Sequence, residues 1–161
     1  MNILRILCPT DFSGQDSAAL DYASRLARES GALLLIVHVD DMGDLNALMG
    51  EAGYLYGTTE AARQEAKERL SRVKPTVANV RYEHHYLTGS PVAELLKFAE
   101  CEEVDLIVMG SHGRTGLSRL LMGSIAEGVM RKATCPVLIV KQPLAAVEDV
   151  SPVFLSGETV E

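Results

Sequence analysis

The amino-acid sequence predicts an α/β fold: a five-stranded parallel sheet, doubly wound, in one domain. Three observations carry the prediction. Short apolar runs alternate with helical patterns in the order β-α-β-α-β-α-β-α-β, and strands alternating with helices form a parallel sheet covered on both faces. The run "ALLLIVHV" at 32–39 is apolar without alternation, as a strand buried on two sides is. A length of 161 residues, 47% hydrophobic and 23% charged, suits one globular domain with a sizeable core.

The elements follow in order. "ILRILC" at 3–8 ends at Pro9 and reads as a buried strand. "SGQDSAALDYASRLARESG" at 13–31 reads as a helix. Ser13 and Asp16 make a start like a capping box, Ala19, Tyr22, Ala23 and Leu26 line one face, and Gly31 ends it. The second strand is 32–39. Residues 40–57 hold four glycines among scattered Leu, Met and Tyr, and predict a long loop with one helical turn. From Thr58 to about Val73 the pattern is helical and heavily charged, hence exposed on one side, until Pro75 stops it. Residues 76–89 alternate loosely and fit a strand nearer the sheet edge. Ser90-Pro91 offers a cap and a first-turn proline to a helix reaching about Cys101. "VDLIVMG" at 104–110 is a buried strand, Ser124 to Lys132 a helix, and "VLIVK" at 137–141 the last strand. The domain is thus 1–141, followed by a tail, 142–161, with two prolines and an acidic end.

Composition narrows the function. No apolar run approaches the ~20 residues that cross a bilayer. The start "MNILRILCPTDF" has one arginine, an early proline and an aspartate, unlike a secretory signal. A cytoplasmic protein is expected. Cys8, Cys101 and Cys135 are odd in number and far apart, so buried free thiols in a reducing compartment are expected. A net charge of −7 argues against wholesale nucleic-acid binding. The charge is uneven, though. Gly110 to Lys132 carries Arg114, Arg119, Arg131 and Lys132 against Glu127 alone. A local basic, glycine-rich stretch in an acidic chain suggests a small anionic ligand; the bland reading is solvated arginines.

In a parallel sheet, ligands sit beyond the carboxyl ends of the strands, at the switch point. Those ends are Pro9-Thr10-Asp11, His38-Val39-Asp40 and the stretch "GSHGRTGLSRLLMGS" from Gly110. That stretch is neither a Walker A loop, which needs Gly-Lys-Ser/Thr, nor Gly-x-Gly-x-x-Gly. It is Gly110-x2-Gly113-x9-Gly123-Ser124, after a strand and before a helix. Glycines let backbone approach a phosphate closely. The free N–H groups and dipole of a helix opening at Gly123-Ser124 attract an anion.

The pattern resembles the nucleotide-binding branch of the universal stress proteins. The resemblance covers about 1–141 and rests on "PTDFS" at 9–13, "HV" at 38–39, "GSP" at 89–91, "DLIVMGSHGRTGLSRLLMGSIAE" at 105–127 and "CPVLIVK" at 135–141. It implies a Rossmann-like sheet of the adenine nucleotide alpha hydrolase type, with strand order 3-2-1-4-5. It implies that Asp11 binds the ribose hydroxyls, Pro9 and Thr10 shape that wall, and the Val39 backbone bonds adenine. Met109 and Gly110 would line the ribose–phosphate turn. Gly113, Gly123, Ser124 and Ile125 would hold the phosphates of ATP, ADP or AMP, with Mg2+ or Mn2+ bound through them. It also implies a homodimer through the last strand, Val137, Leu138, Ile139 and Val140, paired antiparallel.

Bland readings stand beside these. Ser124-Ile125-Ala126-Glu127 is also a capping box, which would spend the hydroxyl on the helix itself. Arg114 and Arg119 can reach a γ-phosphate or face solvent. His84 and His85 are neighbours on a strand and point to opposite faces, so they cannot easily share a metal ion. His112 lies beside the loop without a paired carboxylate or second histidine. The Met and Leu of 42–55 suit an apolar flap over adenine or a dimer contact. "SGQDS" at 13–17 looks like a shortened pyrophosphatase-type loop of adenylating enzymes, or helix capping. Three functions follow: an ATP-binding regulatory or protective stress protein, a slow ATPase or adenylate-transferring enzyme using the same pocket, and a structural dimer without nucleotide. The absence of a Walker lysine, a recognisable base and an acidic metal cluster favours the first.

Overall fold

A computed structural model describes residues 2–14, 17–41, 60–111 and 123–141. Its strands are β1 (Arg5–Pro9), β2 (Leu33–Asp40), β3 (Arg81–Thr88), β4 (Leu106–Gly110) and β5 (Val137–Val140). Its helices are α1 (Ser17–Ser30), α2 (Glu60–Arg72), α3 (Pro91–Cys101) and α4 (Ser124–Lys132). The five strands are parallel, in the order β3-β2-β1-β4-β5. The expected fold class and strand order are those observed.

Strand alternation builds two half-cores. Ile6, Cys8, Leu34, Ile36, Leu106 and Val108 face α1 and α2. Leu7, Leu35, Val37, Ile107 and Met109 face α3 and α4. Successive side chains point to opposite faces, so each central strand needs apolar residues throughout. The alanines of α1, Ala19, Ala23 and Ala27, let that helix lie close to the sheet. Helix α2 buries only Leu70, as its charged sequence leads one to expect.

Several local expectations are corrected. Helix α1 starts at Ser17, not Ser13, because residues 10–14 form a turn of their own. Tyr22, expected on the buried face, is 55% exposed. Ser24 takes that inward position instead. Its hydroxyl donates to the Leu20 carbonyl at 2.6 Å and accepts the Thr76 N–H at 3.1 Å. The expected strand at 76–89 begins only at Arg81. Thr76 is tied to α1 through Ser24 and through Asp21, to which its hydroxyl donates at 2.7 Å. Asn79 then has a φ of 62°, incompatible with a strand. The bond from Arg25, then the one from Thr76, holds the Asp21 carboxyl below its ordinary range. Of the three free thiols, Cys8 is buried, Cys135 is half-buried and Cys101 is exposed, against the expectation of burial. His84 and His85 do lie on opposite faces, one against the Val73 carbonyl at 2.7 Å, the other against the Phe98 ring. From residue 42 to 59 the expected loop and apolar flap lie outside the described residues, as does the tail from 142. Among the described residues no helix is long and apolar enough to cross a membrane.

Two contacts give tests. A Cβ on Gly128 of α4 would sit 2.9 Å from Cγ2 of Val92 on α3, so the glycine permits the close approach of the two helices. Gly128→Val is expected to lower stability by about 1–3 kcal/mol through overpacking, and Val92→Ala in the same chain to recover part of it in urea denaturation. An unchanged midpoint would contradict the close packing. At the sheet's carboxyl edge the Tyr86 hydroxyl donates to Asp40 Oδ2 at 2.6 Å. Burial, then that bond to a carboxylate, raises the phenol above its ordinary value. A raised folded-state value contributes stability that is full below the unfolded value near 10 and is lost as pH rises through the folded one. Ultraviolet titration should therefore show one of the five tyrosines ionising after the rest, with Asp40→Asn partly lowering it. Simultaneous ionisation of all five would contradict the bond.

Candidate functional site

The site begins where β1 and β4 part. Their ladder runs through Ile6 opposite Leu106 and Leu7 opposite Ile107 and stops. β1 continues beside β2 to Pro9, opposite Val37, and β4 continues beside β5 to Gly110, opposite Val140. The reason lies in Pro9. The Arg5 carbonyl bonds toward β4, through Asp105 N–H, whereas Leu4 and Thr10 bond toward β2. Odd residues of β1 therefore face β4. At Pro9 the nitrogen has no hydrogen to give, so the ladder cannot be extended and a crevice opens. This is the switch point, where parallel sheets bind ligands.

One wall is the turn after β1. Thr10 N–H still donates to the Val37 carbonyl at 2.8 Å. Thr10 Oγ1 accepts the Phe12 N–H at 3.2 Å, and Asp11 Oδ1 accepts the Ser13 N–H at 2.8 Å. Phe12 has a φ of 62° and Gly14 one of 76°. A left-handed non-glycine residue costs of order 1–3 kcal/mol. The Phe12 ring is sandwiched in return. His38 stacks on it at 4.2 Å between centroids, and the Arg69 guanidinium lies 4.7 Å from its centroid. Such contacts contribute about 0.5–1.5 and 0.5–1 kcal/mol respectively. His38 is itself 6% exposed, with Nδ1 2.8 Å from the Thr10 carbonyl oxygen. Sequence reasoning placed His38 at a strand end but gave it no role, and it missed Arg69, whose chain distance from Phe12 hides the contact.

The second wall is the end of β2, where half-buried Val39 lies opposite Leu87 and leans on the α3–α4 half-core. The Asp40 carbonyl accepts the Gly89 N–H at 3.0 Å.

The third is β4 with α4. Met109 is 5% exposed, its side chain spent on the core, so it offers the crevice mainly backbone. Gly110 leads to buried Ser111, whose N–H donates to the Val140 carbonyl at 3.1 Å. The Ser111 carbonyl accepts the Gly123 N–H at 2.8 Å. The chain thus returns to the end of β4 after residues 112–122, which lie outside the described set with His112, Gly113, Arg114 and Arg119. Gly110 and Gly123-Ser124, far apart in the stretch, are brought side by side.

The start of α4 overturns the capping-box reading of Ser124. Gly123, with φ −62° and ψ 147°, is the N-cap, and Ser124 is the first helical residue. The first intrahelical bond is Glu127 N–H to the Gly123 carbonyl at 2.9 Å. The Glu127 carboxylate turns to Arg131 at 2.8 Å. The Ser-x-x-Glu capping box is therefore not formed. Ser124 and Ile125 are exposed, and the N–H groups of 124–126 precede the first i−4 bond, which leaves them without helical partners. Arg131 and Lys132 close the helix at its negative end.

The "SGQDS" stretch does not form one unit. Ser13 belongs to the Asp11 turn, and the Ser17 N–H donates to the Gly14 carbonyl at 3.4 Å as α1 begins. Gln15 and Asp16 lie outside the described residues. An open concavity of about 420 Å³ lies on the α2 side of this turn, lined by Thr10, Phe12, Gly14, Arg69, Arg72 and Val73. It shares Thr10, Phe12 and Gly14 with the turn that walls the crevice.

Comparison with known proteins gives a consistent result. The sequence profile of the universal stress protein family matches residues 2–141. Universal stress protein MJ0531 of Methanocaldococcus jannaschii is 38% identical over 141 residues, which span 86% of this chain and 82% of that protein. Among solved structures, MJ0577 of the same organism superposes with a TM-score of 0.76 at 31% identity, over 90% of this chain and all of the other. A universal stress protein from Archaeoglobus fulgidus, solved in complex with dAMP, gives a TM-score of 0.62 at 26% identity, over 86% of this chain and 98% of the other. The chain belongs to the universal stress protein family.

Proposed function

We propose that the crevice binds an adenine nucleotide, ATP, ADP or AMP, and that the protein is a nucleotide-dependent regulatory or protective module of the stress response in the cytoplasm. One observation carries the reading. The solvent-facing N-terminus of α4 is fixed against the carboxyl end of β4 by the Gly123–Ser111 bond, beside the opening between β1 and β4. Orphan N–H groups and a helix dipole there form an anion site. The dAMP complex of the Archaeoglobus relative supports an adenine nucleotide as the anion's source.

In this reading Asp11 takes the ribose hydroxyls at the turn braced by Pro9 and Thr10, and the Val39 backbone takes adenine. Met109 and Gly110 line the ribose–phosphate turn through their backbone. Gly123, Ser124 and Ile125 hold the phosphates, together with Gly113 and Arg114 from the stretch outside the described residues. Mg2+ or Mn2+ would arrive on the phosphates, which supply most of its oxygen ligands. The strand β5 lies at the edge of the sheet with Leu138 36% exposed, which suits antiparallel pairing of two copies through Val137, Leu138, Ile139 and Val140.

Gly123→Val tests the grip. The glycine's φ and ψ are open to any residue, so the variant is expected to fold with a melting temperature near the parent's. Its branched side chain stands where phosphate must approach backbone, and calorimetric titration should show ATP affinity lowered at least tenfold. Undetectable ATP binding by the parent protein at millimolar nucleotide would sink the reading. Multiple turnover well above the Gly123→Val background would favour an ATPase instead, and sedimentation of the same sample separates dimer from monomer.

A further inference from the structure

The β1–α1 turn has a back wall that the nucleotide reading does not use. Leu34, Ile36 and His38 alternate onto the α1–α2 face of β2, while Val39 faces α3 and α4. His38 therefore approaches the turn from behind the crevice. A carbonyl oxygen only accepts, so the 2.8 Å contact with Thr10 means that Nδ1 carries a proton and donates it. The same ring stacks on Phe12 at 4.2 Å with planes 28° apart. Tyr86, opposite His38 in the ladder, lies 5.9 Å behind it, and its own hydroxyl is tied to Asp40. One buried side chain thus grips the residues on both sides of Asp11: Thr10 by its carbonyl and Phe12 by its ring. Phe12 keeps its left-handed backbone with that ring held between His38 and Arg69.

We propose that His38 is a positioning residue for sugar recognition: through Thr10 and Phe12 it sets the Asp11 carboxylate toward the ribose, and so determines the preference for ribonucleotides over 2′-deoxyribonucleotides without touching either. The inference rests on the nucleotide reading and goes beyond it. A carboxylate bonding a sugar hydroxyl tolerates little displacement. In that reading the phosphates sit on α4, across the crevice from the turn that His38 holds through Thr10 and Phe12. Loss of His38 should therefore alter sugar discrimination and spare the phosphate grip.

The test is equilibrium binding of ATP and 2′-deoxy-ATP to the full chain and to His38→Leu and His38→Asn. Leucine fills the space and cannot donate; asparagine presents an N–H close to the place of Nδ1. The parent is expected to prefer ATP about tenfold. His38→Leu should bind ATP about tenfold more weakly, with 2′-deoxy-ATP, which offers Asp11 only its 3′ hydroxyl, weakened by much less, so that the preference shrinks toward unity, and His38→Asn should keep most of it. A parent without preference, a His38→Leu protein with the parent's preference, or equal weakening of both nucleotides would each overturn the proposal. If His38→Leu does not fold, Phe12→Leu removes the stack at the surface side and is expected to reduce the preference; an unchanged ratio there overturns the proposal equally. Failure of the parent to bind either nucleotide would count against the nucleotide reading itself, and is recognised by the parent titration alone.

Discussion

The parting of β1 from β4 is the constraint on which the site depends. Two central strands run side by side through Leu7 and Ile107 and then separate, because Pro9 turns a backbone nitrogen without a hydrogen toward its neighbour. Each strand stays paired on its other side, to β2 and to β5, so the gap opens without loosening the sheet. Among the described residues, what faces the gap is strand ends, the turn after β1 and a helix start, where backbone groups lack regular partners. The helix-to-sheet packing of the two half-cores keeps those ends in place.

The division of the two faces also divides the labour of the site. On the α3–α4 face, Met109 and Val39 pack their side chains into the half-core and leave backbone to the crevice, while α4 brings its positive end. On the α1–α2 face, His38, Tyr86, Arg69 and Phe12 hold the turn after β1 in a conformation that its sequence alone would not choose. A left-handed phenylalanine is a cost, and three rings with a guanidinium offset it. The exposed, weakly buried helix α2 thereby acquires a structural purpose through Arg69.

The fold was legible because it follows from apolar runs of strand length separated by helical patterns, and these are local signals. Boundaries were less so. The alternation at 76–80 looked like strand, but a buried serine on α1 and a left-handed Asn79 claim that segment. Tyr22 fits the apolar stripe of α1 by spacing, yet the inward place goes to Ser24, which has two hydrogen-bond partners there. In the site, the glycine spacing pointed to the ends of β4 and α4, and the structure joins them through Ser111. Whether Ser124 caps its helix could not be read from Ser-x-x-Glu, since Gly123 competes for the same position and Arg131 for the glutamate. The His38–Phe12–Arg69 stack left no sequence signal, because it unites residues from three separate elements.

The most direct measurement is a set of backbone amide shifts by nuclear magnetic resonance as Mg2+ and ATP are added to isotope-labelled protein. The account predicts the largest shifts at Ser124, Ile125 and Ala126, with others at Thr10 to Ser13, Val39 and Gly110, and little change along the β3 edge. Shifts absent from the start of α4, or concentrated on the concavity at Arg69 and Arg72, would contradict it.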